Sequence, residues 1–141
     1  MNKQILVVDN HPVMLKLMSS LLEKEGHQVL TAETGLAATE ILRTYTPDVI
    51  ITDLEMPNIN GEKLCRIIRS MPELKDVHII ILSAMAAEKD MDFTEFGANA
   101  CIAKGPINNL KQHIIAVLEE LDQGTLDCES SNVRGIDDIC E

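Results

Sequence analysis

Short runs of aliphatic residues alternate along the chain with segments whose apolar residues recur at helical spacing. The runs predict five strands, at residues 4–8, 27–31, 49–51, 77–82 and 100–103. The segments between them have the apolar spacing of helices that pack on a sheet. Strands that alternate with helices are typical of a parallel sheet covered on both faces. The pattern therefore predicts an α/β fold with five parallel strands.

Five helices are predicted around this sheet. The first ends at Gly26, the second ends before Pro47, and the third begins near Gly61 and ends before Pro72. A fourth, at residues 85–96, has a poor apolar stripe, so we expect it to be exposed and loosely held. Pro106 suits the first turn of the last helix. The positions predicted to face inward are Val13, Leu17, Leu21 and Leu22 in helix one, Leu36, Ile41 and Leu42 in helix two, Leu64, Ile67 and Ile68 in helix three, and Leu110, Ile114, Val117, Leu118 and Leu121 in the last helix.

The pattern divides the chain into a domain at residues 1–121 and a polar extension at residues 122–141. The length of 141 residues is close to the common size of one domain. Beyond residue 121 the periodicity fades and acidic residues mix with Gly, Ser and Asn, which predicts an acidic linker or a disordered tail. Aromatic residues make up only 2% of the chain, so the core must be built from aliphatic side chains.

Charge and cysteine usage restrict the classes of partner and compartment. Lys and Arg number 12 against 23 Asp and Glu, and the net charge of -11 opposes binding to nucleic acid by this chain alone and to anionic membranes. The four cysteines form no CxxC pair, which favours reduced thiols. The apolar run at residues 5–8 is too short for a signal peptide, and no later run approaches the length of a membrane span. We expect a soluble, cytoplasmic protein.

Chemistry-bearing residues follow four of the predicted strands. They are Asp9 after strand one, Asp53 after strand three, Ser83 after strand four and Lys104 after strand five. Because ligands bind beyond the carboxyl ends of parallel strands, these side chains are expected to meet in one crevice. Any one of them alone is more often a cap, a turn residue or a solvated charge. Four such residues, in the strand order that brings their strand ends together, favour a functional site.

The types of these residues indicate phosphoryl transfer. Two carboxylates close together repel each other unless a hard cation lies between them, which predicts Mg²⁺. Asp53 could then attack a phosphoryl group, while the ammonium of Lys104 neutralises charge and the hydroxyl of Ser83 donates to a phosphoryl oxygen.

With these residues in place, the chain resembles the response-regulator receiver family, the CheY-like phosphoacceptor domains of two-component signalling. The resemblance covers residues 3–121 and is carried by ILVVDNHP, DVIITDLEMPNING, IIILSA and GANACIAK. It implies the flavodoxin-like (βα)5 receiver fold. It also implies a signalling module rather than a turnover enzyme, which takes its phosphoryl group from a sensor histidine kinase or a histidine phosphotransfer protein.

The resemblance also assigns roles to individual residues. Asp53 is the implied phosphoacceptor, with Ser83 as the switch hydroxyl and Lys104 as the lysine of the site. Asp9, Asn10, Asp53 and the backbone carbonyl of Glu55 are the implied ligands of Mg²⁺ or Mn²⁺. Ala84 and Met85 follow the switch serine, and Met85 and Glu55 are expected to flank the phosphoryl site and to influence its hydrolysis. The surface of helix four, strand five and helix five is a possible homodimer contact.

Three departures from the family pattern bear on function. Asn10 replaces a second acid, so the pocket loses one negative charge. Cys101 replaces the usual aromatic switch residue, so signalling is expected to rely on displacement of helix four by Ser83. Gly105 separates Lys104 from Pro106, so the sequence does not decide whether the peptide bond before Pro106 is cis, as the corresponding bond usually is in the family.

Two other functions remain as alternatives. A degenerate receiver would act as a protein-binding scaffold whose binding does not depend on phosphorylation. A flavodoxin-like or Rossmann-type enzyme is less favoured, because the turn at residues 9–12 lacks the glycines that admit a cofactor phosphate. His11, His27, His78 and His113 lack the spacing of metal ligands and are interpreted as incidental.

The departure at Asn10 predicts weaker metal binding than in a pocket with two acids at this turn. An amide oxygen is still a hard ligand, so Mg²⁺ should bind, and Asn10→Asp should tighten binding by restoring a negative charge. A titration of both proteins with Mg²⁺ measures this, and equal affinities would contradict it.

Overall fold

The computed structural model describes residues 3–83, 95, 97–103 and 112–119. The strands are β1 (Gln4–Val8), β2 (Gln28–Ala32), β3 (Val49–Asp53), β4 (His78–Ser83) and β5 (Ala100–Ala103). The helices are α1 (Pro12–Lys24), α2 (Gly35–Leu42) and α3 (Gly61–Arg69), followed by a 3₁₀ turn at Pro72–Leu74. Residues 112–119 are also helical.

The five strands form one parallel sheet in the order β2-β1-β3-β4-β5. β3 is therefore central, and all five of its residues are buried. A strand that is covered on both faces reads as a continuous apolar run, as Val49, Ile50 and Ile51 do. The predicted α/β fold with five parallel strands is confirmed.

Alternate residues of the strands point into two separate cores. On one face Leu6, Ile50 and Ile81 pack with buried residues of α2 and α3. On the other face Ile5, Ile51 and Ile80 pack with buried residues of α1 and of the helix at 112–119. The period of two along a strand explains this division, since successive side chains leave opposite faces of the sheet.

Local sequence signals set where the helices begin. Pro12 begins α1, where its missing N–H is not needed. The side chain of Thr34 accepts a hydrogen bond from the backbone N–H of Ala37, and the side chain of Asn60 accepts one from Lys63, both at 2.9 Å. These two contacts satisfy N–H groups that the first turns of α2 and α3 leave without helical partners.

The predicted apolar face of helix one is partly wrong. The buried stripe of α1 consists of Leu15, Met18 and Leu22, whereas Val13 is 71% exposed and Leu17 is 46% exposed. Successive residues turn by about 100° around a helix, so Val13 lies opposite a stripe centred on these three residues. Leu36 of α2 is likewise exposed.

Most predicted boundaries agree with the structure within one or two residues. β2 begins at Gln28 rather than at His27, β4 begins at His78, and Asp53 is the last residue of β3 itself. The predicted helix at 85–96 apart from residue 95, the peptide between Gly105 and Pro106, and the extension at 122–141 lie outside the described residues. In the described part of the chain no helix combines the length and the apolar character that a bilayer crossing requires.

Arg69 connects the end of α3 to the turn before β5. Its guanidinium donates to the backbone carbonyl of Gly97 at 2.9 Å and to the side-chain oxygen of Asn99 at 2.7 Å. It also donates to the carbonyls of Leu74 and Lys75. The same oxygen of Asn99 accepts the backbone N–H of Ile79 at 2.8 Å. These contacts to a charged donor fix how β5 enters the sheet beside β4.

Burial of His78 makes the stability of the fold depend on pH. Desolvation lowers the pKa of His78 from 6.5 to about 4, with smaller contributions from the charges of Arg69 and Lys3. The unfolded chain therefore binds this proton at a higher pH than the folded chain does. Stability contributed by neutral His78 is complete above about pH 6.5 and is lost as the pH falls toward 4, with a maximum of about 3 kcal/mol.

We expect His78→Leu to flatten the fall in the free energy of unfolding between pH 6.5 and about 4, measured by urea denaturation across that range. His113→Ala, which removes an exposed histidine, should leave the slope unchanged. Equal slopes in His78→Leu and the parent protein would contradict the assignment.

Candidate functional site

Three polar side chains are buried at the carboxyl edge of the sheet. Asp9 follows β1, Asp53 ends β3 and Ser83 ends β4, and their exposures are 1%, 2% and 0%. Strand register explains their proximity, because Val8 of β1 is paired with Thr52, and Asp53 is paired with Leu82 of β4. Neighbouring strands thus end beside one another, and the structure places these three residues at the same edge of the sheet.

The turn after Asp53 is held close to the sheet. The backbone N–H of Leu54 donates to Leu82 at 2.8 Å, and that of Gly61 donates to Leu54 at 3.0 Å. A Cβ atom at Gly61 would lie 2.7 Å from the carbonyl oxygen of Asp53, so only glycine permits this approach. Asn58 has a φ of 66°, which asparagine tolerates better than most residues. The turn therefore fixes the backbone that carries Asp53.

His11 lies beside the two carboxylates, which the sequence did not indicate. Its backbone N–H donates to Oδ1 of Asp9 at 3.0 Å, and its ring nitrogen Nδ1 lies 3.1 Å from the same oxygen. One ligand atom from each of Asp9, His11 and Asp53 lies within 4.8 Å of the others. The structure thus places His11, one of the four histidines interpreted as incidental, beside the candidate site. Its signal was the adjacency to Asp9 across a short turn, rather than a metal-ligand spacing.

The donor set at this edge fits a divalent cation. Oδ1 of Asn10 is buried and has no hydrogen-bond partner among the described residues. A buried amide oxygen without a donor is costly unless a cation or a water satisfies it. Together with two buried carboxylates, it supplies the oxygen ligands that Mg²⁺ and related ions prefer.

Ser83 is engaged by the side chain of Glu55. The hydroxyl of Ser83 donates to a carboxylate oxygen of Glu55 at 2.7 Å, although 28 positions separate the two residues. Glu55 itself is exposed, whereas Ser83 is fully buried. The contact ties the turn after β3 to the end of β4. The sequence does not indicate it, because it predicts a role only for the backbone carbonyl of Glu55 and for an effect of Glu55 on hydrolysis.

The remaining predicted site residues divide into two groups. Cys101 is buried on β5, and it packs in the same core as Cys65 and Ile81. Desolvation raises the pKa of the Cys65 thiol to about 12, which keeps it protonated and unreactive. Ala84, Met85 and Lys104 lie outside the described residues. Ala103, which precedes Lys104, is paired with Ser83.

Comparison with known protein families finds a match over most of the chain. The family described as response regulator receiver domain matches residues 5–115. The polar-differentiation response regulator DivK of Brucella ovis is 27% identical over 105 residues, which cover 74% of this chain and 85% of DivK. The sensor histidine kinase RcsC of Salmonella typhimurium is 32% identical over 116 residues, which cover 82% of this chain but only 12% of RcsC.

Solved structures agree with the observed fold. The chemotaxis response regulator CheY4 of Vibrio cholerae has a TM-score of 0.76 at 24% identity and covers 85% of this chain and 98% of its own, which shows a common fold. The response regulator TrrA of Thermotoga maritima, solved in complex with Mg²⁺-BeF, has a TM-score of 0.69 at 31% identity and covers 81% of this chain and 97% of its own.

The contact between Glu55 and Ser83 predicts energetic coupling between the two residues. We expect a double-mutant cycle of Glu55→Ala and Ser83→Ala, measured by urea denaturation, to give a coupling free energy of about 1 kcal/mol. Glu62→Ala removes a carboxylate that pairs with Arg66 instead, so its effect should add to that of Ser83→Ala. Additive effects of Glu55→Ala and Ser83→Ala would contradict a stabilising contact.

Proposed function

Because the chain belongs to the response regulator receiver domain family, we propose that Asp53 accepts a phosphoryl group from a phosphohistidine of a sensor histidine kinase or a histidine phosphotransfer protein. One observation carries the proposal. Asp9, Asp53 and Ser83 are buried together at the carboxyl edge of the parallel sheet, the edge at which proteins of this architecture bind ligands.

Asp53 is better suited than Asp9 to act as the nucleophile. Oδ1 of Asp9 already lies within hydrogen-bonding distance of both the backbone nitrogen and the ring of His11. Asp53 ends the central strand, between the end of β1 and Ser83 of β4. In the proposed reaction a carboxylate oxygen of Asp53 attacks phosphorus, the bond from phosphorus to the donor imidazole breaks, and an acyl phosphate remains on Asp53.

The cation that the family implies would be held by residues of the turns after β1 and β3. Asp9, Asn10, Asp53 and the backbone carbonyl of Glu55 are the proposed ligands, and the buried oxygen of Asn10 supports this set. Such an ion, when bound, neutralises negative charge on the transferring oxygens. The two carboxylates lie close enough for their negative charges to repel, and a positive charge between them would offset this repulsion.

The hydroxyl of Ser83 offers a switch that reads the phosphoryl group. A hydroxyl has one proton to donate, and in this structure it donates to Glu55. A phosphoryl oxygen on Asp53 would compete for that proton, and its negative charge would repel the carboxylate of Glu55. We infer that phosphorylation transfers the hydrogen bond of Ser83 from Glu55 to the phosphoryl group.

Lys104 is assigned to the proposed site from its position in the sequence. It follows Ala103, the partner of Ser83 in the sheet. An ammonium in that position would stabilise the acyl phosphate by charge neutralisation, as the resemblance to receivers implies. The predicted output is displacement of helix four at 85–96, which begins two residues after Ser83 in the sequence.

We expect intact-protein mass spectrometry after incubation with acetyl phosphate and Mg²⁺ to detect one added phosphoryl group. Asp53→Asn should abolish the adduct because an amide is a poor nucleophile. Asp48→Asn, the same substitution at the residue before β3, should retain the adduct.

Two results would count against this function. Retention of the adduct in Asp53→Asn would place the acceptor elsewhere. Absence of an adduct in the folded parent protein, both with acetyl phosphate and with a phosphorylated histidine donor, would favour a scaffold whose binding does not depend on phosphorylation.

A further inference from the structure

A cluster of hydrogen bonds lies at the amino end of β5, the opposite end of this strand from the candidate site. It joins Arg69 of α3 to Gly97 and Asn99 in the turn before β5. We propose that Arg69 and Asn99 are positioning residues, which set the register of β5 against β4 and thereby place Lys104 for phosphoryl transfer. The role of Lys104 rests on the proposed function, whereas the register does not.

Asn99 pairs with both backbone groups of one residue in β4. Its backbone N–H donates to the carbonyl of Ile79 at 2.8 Å. Its side-chain oxygen Oδ1 accepts the backbone N–H of Ile79, also at 2.8 Å. The next pair along the two strands is Ile80 with Ala100. A slip of β5 by one residue in either direction would break both hydrogen bonds, so Asn99 fixes which residues of the two strands lie side by side.

Arg69 holds the side chain of Asn99 in the orientation that this pairing requires. Nη2 of Arg69 donates to the same Oδ1 at 2.7 Å, and Nε donates to the carbonyl of Gly97 at 2.9 Å. Oδ1 thus has two donors, which match the two lone pairs of an amide oxygen. A Cβ atom at Gly97, whose φ is 97°, would lie 2.7 Å from Cγ of Arg69. Glycine therefore lets the arginine lie directly against the turn.

The sequence of β5 specifies its register only weakly without this cluster. The strand has four residues, Ala-Cys-Ile-Ala, of which one has a large side chain. It lies at the end of the sheet, so β4 is its one neighbouring strand. Register is well specified where a strand buries a distinct set of large side chains on one face, and poorly specified otherwise. A single isoleucine discriminates little between registers, so the hydrogen bonds of Asn99 are expected to decide between them.

The register matters for function at the carboxyl end of β5. Ala103 lies beside Ser83 in the observed pairing, and Lys104 follows Ala103 in the sequence. A slip by one residue moves a strand by about 3.3 Å along its neighbour and exchanges the faces to which its side chains point. A displacement of that size removes a charged group from the geometry that transfer requires. The cluster at one end of the strand therefore controls a group beyond the other end.

NMR of the full chain measures the register without any phosphodonor. Asn99→Leu removes the acceptor oxygen at similar size, whereas Asn99→Asp keeps an oxygen for both donors. We expect the nuclear Overhauser contacts between the backbone protons of Ser83 and Ala103 to be lost in Asn99→Leu and retained in Asn99→Asp. Contacts between Ile51 and Ile80, which lie in β3 and β4, should persist in both variants and show that the rest of the sheet is folded.

The rate at which acetyl phosphate modifies Asp53 at saturating Mg²⁺ measures the consequence. We expect Arg69→Ala to lower this rate by about tenfold or more. In a Lys104→Ala background, Arg69→Ala should lower it no further, because Arg69 acts through the lysine. Mg²⁺ affinity should be unchanged, since none of the proposed ligands is altered. Arg66→Ala removes an exposed arginine of the same helix that pairs with Glu62, and it should leave the rate unchanged.

Three results distinguish the possible failures. Contacts between Ser83 and Ala103 that persist in Asn99→Leu would overturn the assignment of the register. An equal fall in rate on Arg69→Ala with and without Lys104 would overturn the positioning role and indicate a general effect on the fold. A parent protein that accepts no phosphoryl group would overturn the proposed function and the role of Lys104, while the NMR measurement still decides the register.

Discussion

Two buried carboxylates at one edge of a parallel sheet are the constraint on which the candidate site depends. Asp9 and Asp53 reach this edge because β1 and β3 are adjacent and end in register. Their mutual repulsion in a medium of low dielectric must be offset by donors or cations. The N–H of His11 supplies one donor to Asp9, and the ring of His11 approaches the same oxygen. A bound cation would supply the remaining positive charge.

The sheet holds these groups on a rigid base. β3 has neighbours on both sides and is buried on both faces, so its last residue has little freedom to move. Gly61 keeps the following turn against the backbone of Asp53, and Arg69 anchors the entry to β5. Glu55, in contrast, is exposed, and its side chain accepts a hydrogen bond from Ser83. We infer that a change of charge at Asp53 acts first on this contact.

Hydrophobic pattern was sufficient to predict the fold and most of the strand-end residues. Uninterrupted aliphatic runs mark strands buried on both faces, and parallel strands necessarily end at one edge. The prediction failed where the apolar residues of a helix are compatible with more than one buried face, as on α1. There Val13 and Leu17 are exposed, whereas Leu15 and Met18 are buried. The contacts of His11 and Glu55 depend on turn geometry and side-chain direction, which no periodicity encodes.

The central claim is that Asp53, among several neighbouring groups, is the residue that receives phosphate. Sodium borohydride reduces an aspartyl phosphate to homoserine, so treatment of the phosphorylated chain followed by tandem mass spectrometry identifies the acceptor. The account predicts homoserine at position 53 and unmodified Asp9 and Asp48. Homoserine at Asp9, or a phosphoryl group on a nitrogen of His11 that borohydride leaves in place, would contradict it.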